Sequence, residues 1–169
     1  RVVEVTGGGN DTVYASAAFS LAAGTSVEVL RANASVGLAL GGNELANSLT
    51  GKAAANILDG GAGNDTLIGG LGNDTYIVST GDSVVEALNG GIDLVQSDVS
   101  HTLAANVENL TLTGSADRSG TGNAHANILT GNSGNNALDG GDGIDTLKGG
   151  AGNDTYKVDR KRSGNAVLN

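Results

Sequence analysis

The chain has 169 residues, a formal net charge of −9 and 29 glycines, with no proline and only 2% aromatic residues, so a core of bulky rings is excluded. The excess of acid repels phosphate, which argues against a nucleic-acid partner and favours a cationic partner or a metal. Without cysteine and with only two histidines, disulfides, thiolate metal sites and cysteine nucleophiles are ruled out together.

The opening "RVVEVTGGGN" has none of the parts of a signal peptide, and the chain contains no run of 18 apolar residues. Two expectations follow: a soluble cytosolic segment, or one whose export signal lies elsewhere in a longer parent. "VVEVTGGGNDTV", carrying Glu4 and Asp11, is echoed by "VVEALNGGIDLV", which begins at Val84. "TSVEVLRANASVGLAL" then reads as extended chain. From Gly42 a nonapeptide takes over, with frames beginning at Gly42, Gly51, Gly60 and Gly69. Its sixth position holds Asn47, Asn56, Asp65 and Asp74, and its eighth holds Leu49, Leu58, Leu67 and Tyr76. Turns with Asp82, Glu86 and Asp93 follow, matched further back by Glu4 and Asp11. "NVENLTLTGSA" alternates Leu110 and Leu112 with threonine, which reads as a strand.

The nonapeptide returns with frames at Gly122, Gly131, Gly140 and Gly149. Here the sixth position is Asn127, Asn136, Asp145 and Asp154, and the eighth is Leu129, Leu138, Leu147 and Tyr156. The interval from Gly42 to Gly122 also separates "VEVL", which begins at Val27, from "VENL", which begins at Val107. The expected organisation is two copies of a module of roughly 80 residues. The first spans residues 1–78, N-terminally incomplete, with its array at 42–77. The second spans 79–158, with its array at 122–157. The basic end, 159–169, is a solvated tail or a cap over a solenoid edge.

Six residues of each unit suit a glycine-rich turn, and the remaining three suit a short strand with its central side chain pointing one way. One unit cannot bury its single leucine, so units must stack, and stacked short strands running the same way form parallel ladders around a narrow aliphatic core. The eighth position should therefore face inward in every unit and the third, Leu71 among them, should face solvent.

The units "GGAGNDTLI", "GGLGNDTYI", "GGDGIDTLK" and "GGAGNDTYK" resemble the G-G-x-G-x-D-x-U-x repeats of RTX, or haemolysin-type, calcium-binding proteins. The resemblance implies an all-β parallel β-roll in which two consecutive units complete one turn of the coil. It implies Ca²⁺ held by the carboxylates of Asp65, Asp74, Asp145 and Asp154. Backbone oxygens near Gly61, Gly63, Gly70, Gly72, Gly141, Gly143, Gly150 and Gly152 would complete the sites. An all-oxygen cage of this kind suits Ca²⁺ better than Mg²⁺ or zinc. Below each aspartate the stack should place an asparagine: Asn47 under Asp65, Asn56 under Asp74, Asn127 under Asp145 and Asn136 under Asp154. Such turns are either weaker metal sites or a metal-free hydrogen-bonded ladder. Asp11, Asp82, Glu86 and Asp93 are further candidate ligands, and a solvated acidic face would look the same. His101 and His125 read as surface or turn residues, because neither sits in a metal-binding spacing.

Three classes of function compete. The resemblance implies a calcium-binding structural repeat region of a secreted protein, exported by a type I system with its signal outside this segment. It would be unfolded where calcium is scarce and folded outside the cell. An enzyme is not expected within these residues, which offer no nucleophile elbow or zinc motif; the segment could be the non-catalytic part of a secreted hydrolase, epimerase or toxin. An adhesin or glycan-binding solenoid would aim the parent protein at an extracellular surface, but three tyrosines and one phenylalanine give sugars little to stack on.

Overall fold

The computed structural model describes residues 2–4, 7–158 and the strand 167–168. Expectations that fall on 159–166 and 169, the basic end above all, lie outside the described residues. Every described element is a strand, two to four residues long, and every pairing is parallel: the chain is an all-β solenoid. It divides into two units, residues 1–91 and 92–169.

In the first unit, β1 (Thr12–Ala15), β3 (Val29–Ala32), β5 (Ser48–Thr50), β7 (Thr66–Ile68) and β9 (Ser83–Val85) pair in that order. The intervening strands, β2 (Phe19–Ser20), β4 (Ala39–Gly41), β6 (Ile57–Asp59) and β8 (Thr75–Val78), pair in a second series. Strand pairing thus skips one element each time, so two nonapeptides make one coil. The register within the array follows the same rule, each residue pairing with its equivalent two units on: Leu49 pairs with Leu67, and Leu58 with Tyr76. Leu30, Leu49 and Leu67 form one inward ladder, while Leu40, Leu58 and Tyr76 form the other. All six are buried.

The second unit is built the same way. One series runs β10 (Leu94–Ser97), β12 (Asn109–Leu112), β14 (Ile128–Thr130), β16 (Thr146–Lys148) and β18 (Val167–Leu168). The other runs β11 (His101–Thr102), β13 (Ser119–Thr121), β15 (Ala137–Asp139) and β17 (Thr155–Lys157). Val95, Leu110, Leu129 and Leu147 form the inward ladder of the first series. The strands β12 to β17 start at the same spacing from one another as β3 to β8, from Asn109 to Thr155 as from Val29 to Thr75.

The expected facing of the repeat holds. The eighth position is buried in seven of the eight units and half-buried at Tyr156, whereas the third is exposed in all eight. Leu67 and Leu71 show the contrast, at 0% and 56% exposure. With one inward side chain per three-residue strand, a coil has almost no lateral core, and its backbone ladder and turns carry the rest of the fold.

Candidate metal centre

Each strict turn, such as 60–65, passes through φ > 0 at its second and fourth residues, Gly61 (φ 84°) and Gly63 (φ 122°). Gly63 shows why glycine is needed: a Cβ there would take a disfavoured conformation and stand 2.8 Å from the Leu45 carbonyl oxygen of the coil below. The same φ pattern recurs at Gly70 and Gly72, Gly141 and Gly143, Gly150 and Gly152. Backbone oxygens of one turn are thereby brought close to the bare α-carbons of the next.

The sixth residue links the coils. The Asn47 N–H donates to Asp65 Oδ1 at 2.7 Å, and the Asn56 N–H to Asp74 Oδ1 at 2.6 Å. The Asn127 and Asn136 N–H groups donate to Asp145 and Asp154 Oδ1, each at 2.9 Å. The expected stacking of asparagine below aspartate is therefore what the structure contains. Asp65 and Asp74 are buried, and Asp145 and Asp154 half-buried.

Asp65 meets a second carboxylate. It is 1% exposed, and its Oδ2 is buried without a hydrogen-bond partner among the described residues. Its own N–H donates to Asp82 Oδ1 at 2.9 Å, and Asp82 Oδ2 accepts the Ser79 N–H at 2.7 Å. Asp82 thus occupies the sixth-position place of the next coil, so two carboxylates meet where the turns below offer an amide. Burial pushes the Asp65 carboxyl up to about 6; the Asn47 N–H opposes this, and the charges of Asp82 and Asp59 add to it. An isolated buried carboxylate is costly, and a carboxyl oxygen beside a second carboxylate is relieved by a proton or by a cation.

Around Gly69 lies a second group. A Cβ there would collide with Asp74 Oδ2, the Tyr76 hydroxyl and Glu86 Oε1, so the three oxygens converge on one spot. The Tyr76 hydroxyl donates to Glu86 Oε1, and Glu86 Oε2 accepts the Ala87 N–H at 3.0 Å. Burial raises the pKa of Asp74. Burial also raises Asp145, with the Asp139 and Asp142 charges adding, while the Asn127 N–H opposes. Tyr156, the counterpart of Tyr76, accepts the Gly149 N–H at 3.0 Å.

Asp11 is half-buried, and its Oδ2 has no hydrogen-bond partner among the described residues. Its N–H donates to Glu28 Oε2 at 2.9 Å, and burial followed by the charges of Glu4 and Glu28 raises its pKa. Asp93 repeats the backbone contact alone: it is fully buried, and its N–H donates to Glu108 Oε2 at 2.9 Å. Sequence reasoning does not single out Glu28 and Glu108, although they occupy equivalent places in "VEVL" and "VENL". His125 is exposed within its turn, and His101 is half-buried in β11.

Sequence reasoning also passes over a unit that precedes both arrays. Gly7 (φ 86°), Gly9 (φ 126°) and Asp11 repeat the second, fourth and sixth positions of the strict turns in "TGGGNDTVY". A threonine at its first position and its isolation hide the period.

The family model described as RTX calcium-binding nonapeptide repeat (4 copies) matches residues 5–18, 41–76 and 121–156. Two of these stretches coincide within a residue with the arrays, and the third is the unit around Asp11. No curated protein and no solved structure matches the chain. With more than half of its residues matched, and with stacked glycine turns that gather buried carboxylates, the chain belongs to the family of RTX calcium-binding nonapeptide repeats.

Proposed function

We propose that this chain is a calcium-dependent structural segment of a secreted protein, assembled from two copies of one module, whose turns close only when Ca²⁺ reaches them outside the cell. The observation that carries the reading is Asp65: a buried carboxyl oxygen without a partner among the described residues, beside Asp82, in a turn whose glycines bring backbone oxygens close. Asp65 and Asp82 would hold one ion. Asp74 with Glu86, Asp145, Asp154 and Asp11 would serve other turns, together with backbone oxygens. Bound Ca²⁺ supplies positive charge that offsets carboxylate repulsion, and it has no redox or nucleophilic role here. Metal that binds only the folded form stabilises it by about 2.7 kcal/mol per site at a hundredfold excess over Kd.

Catalysis in the parent protein would belong to other segments, with this one acting as a rigid spacer or as a folding aid to export. The glycan-binding alternative is disfavoured because Tyr76 is fully buried and Tyr156 is half-buried with its hydroxyl engaged, which leaves Tyr14 as the one exposed tyrosine ring among the described residues. The test is a calcium titration from excess chelator, followed by far-ultraviolet circular dichroism and calorimetry. Strand signal should rise with calcium and saturate with several ions bound per chain. Full strand signal in chelator with no heat of binding would overturn the proposal.

A further inference from the structure

The column of second-position residues separates two kinds of turn. Strict turns have Gly61, Gly70, Gly141 and Gly150 there, whereas three of the four degenerate turns have Asn43, Asn123 and Asn132. The side chains of these asparagines are fully used. Asn123 Nδ2 donates to the carbonyls of Ala104 and Val107, both at 2.7 Å, in the coil below. Its Oδ1 accepts the His125 N–H at 2.8 Å. Asn132 repeats this geometry in the next unit, with Nδ2 donating to Thr113 and Ala116 at 3.0 Å each and Oδ1 accepting the Gly134 N–H at 2.8 Å. Asn43 donates to Ala22 at 3.2 Å and to Thr25 at 2.8 Å, while its Oδ1 accepts the Leu45 N–H at 3.0 Å.

The sixth-position asparagine reinforces the clasp. Asn127 Oδ1 accepts the Asn123 N–H at 2.8 Å, and its Nδ2 donates to Val107 at 3.1 Å, so Val107 oxygen receives both amides. Asn47 does likewise, accepting from the Asn43 N–H at 2.9 Å and donating to Val27 at 2.8 Å.

We infer that the second-position asparagine decides which turns take calcium: its amide satisfies, with two N–H groups, the pair of backbone oxygens that a strict turn leaves for the cation. The inference rests on the calcium reading above and deepens it. An amide NH₂ is a neutral double donor, and the two carbonyl oxygens that Asn123 holds at 2.7 Å have no place for an ion between them. In the strict turns glycine has no side chain: above the Asn43 and Asn123 turns one carbonyl of each corresponding pair, Leu45 or His125, faces the α-carbon of Gly63 or Gly143, whereas above the Lys52 turn the Ala54 carbonyl accepts from Asn56 Nδ2 at 2.6 Å. The asparagine turns are thus metal-free rungs, and three of the four strict turns stack on them one coil later, the turn at Gly69 lying instead over the Lys52 turn. Of the alternatives open for Asn47 and Asn127, the geometry favours the hydrogen-bonded ladder.

The test is hydrogen exchange of the whole chain at graded free calcium, on wild type, Asn123→Ala and Asn123→Asp, with calcium binding measured by calorimetry. In wild type, amides of residues 140–157 should lose protection at higher free calcium than those of residues 123–130. Asn123→Ala should speed exchange at residues 123–130 about tenfold, from the loss of its side-chain hydrogen bonds, without adding a binding site. Asn123→Asp keeps the Oδ1 acceptor but turns a carboxylate toward two carbonyls; it should make these amides calcium-dependent and raise bound calcium by about one ion per chain. Simultaneous loss of protection throughout the wild type, or an Asn123→Ala variant that exchanges like wild type, would overturn the clasp. A wild type that binds no calcium would instead defeat the functional reading, while the Asn123→Ala comparison still tests the clasp.

Discussion

At the residue scale, buried carboxylates oppose the metal-free fold, and this gives a pH dependence of definite sign. Asp65, pushed up to about 6 from 3.8, holds its proton more tightly in the folded state than in the unfolded one. Its contribution to the stability of the metal-free fold is therefore present at low pH and is lost as pH rises from about 4 through about 6. Asp74 and Asp145 shift in the same direction. Asp139, lowered by the Lys157 ammonium, works the other way, but that pair is largely exposed and worth little. In chelator, strand signal should be greater at pH 4.5 than at pH 7, and with saturating calcium the order should reverse because protons compete for the same oxygens. A chelated protein whose stability climbs over that range would show that these carboxyls are not desolvated. Ala54 makes a second point at this scale. It holds φ at 115° in the fourth position, where the strict turns have glycine, so Ala54→Gly should raise stability by about 1 kcal/mol, read as a shift in the thermal midpoint at fixed calcium.

At the scale of the repeat element, a three-residue strand with one inward side chain leaves no redundancy. Leu67→Ser removes a fully buried leucine and puts a hydroxyl in its place, which should cost about 3–5 kcal/mol. Leu71→Ser, at an exposed third position, should stay within about 0.5 kcal/mol. Gly63→Val meets both a φ of 122° and the Leu45 carbonyl, so it should damage the fold even with calcium saturating. Chemical denaturation at fixed free calcium ranks the three, and a Gly63→Val variant as stable as wild type would mean that this turn relaxes easily. The same scale shows what the sequence made legible. A period of nine fixes which residue faces inward, so Leu67 and Leu71 could be read directly, whereas two units per coil, and with it the Asn47-to-Asp65 stacking, came from the resemblance to RTX repeats. The clasp of Asn123 could not, because its partners at Ala104 and Val107 are backbone oxygens of another coil, whose positions depend on the stack and not on residue type. Glu28 was invisible for a related reason: its partner is the Asp11 N–H, and nothing in "VEVL" separates a bonded glutamate from a solvated one.

At the scale of the whole molecule, the net charge of −9 and the placement of acids in stacked turns pose one question: does calcium act at particular cages or by general screening? Screening is non-specific. At about 1 M monovalent salt the Debye length shrinks to about 3 Å, and repulsion between exposed carboxylates is largely removed. It does little for Asp65, which is 1% exposed and whose Oδ2, without a hydrogen-bond partner among the described residues, salt does not reach. The chelated protein in concentrated sodium chloride should therefore recover only part of its strand signal. Millimolar Ca²⁺ at the same ionic strength should recover all of it, and Mg²⁺ less, since the smaller ion holds its water and demands a stricter geometry than backbone oxygens in glycine turns supply. Asp65→Asn should lower the calcium response while leaving the salt response unchanged, because it removes a ligand without altering the charge of the exposed face. Sodium chloride that restores the full signal, or an Asp65→Asn variant with an undiminished calcium response, would assign the effect to bulk charge and leave the stacked turns without a specific ion.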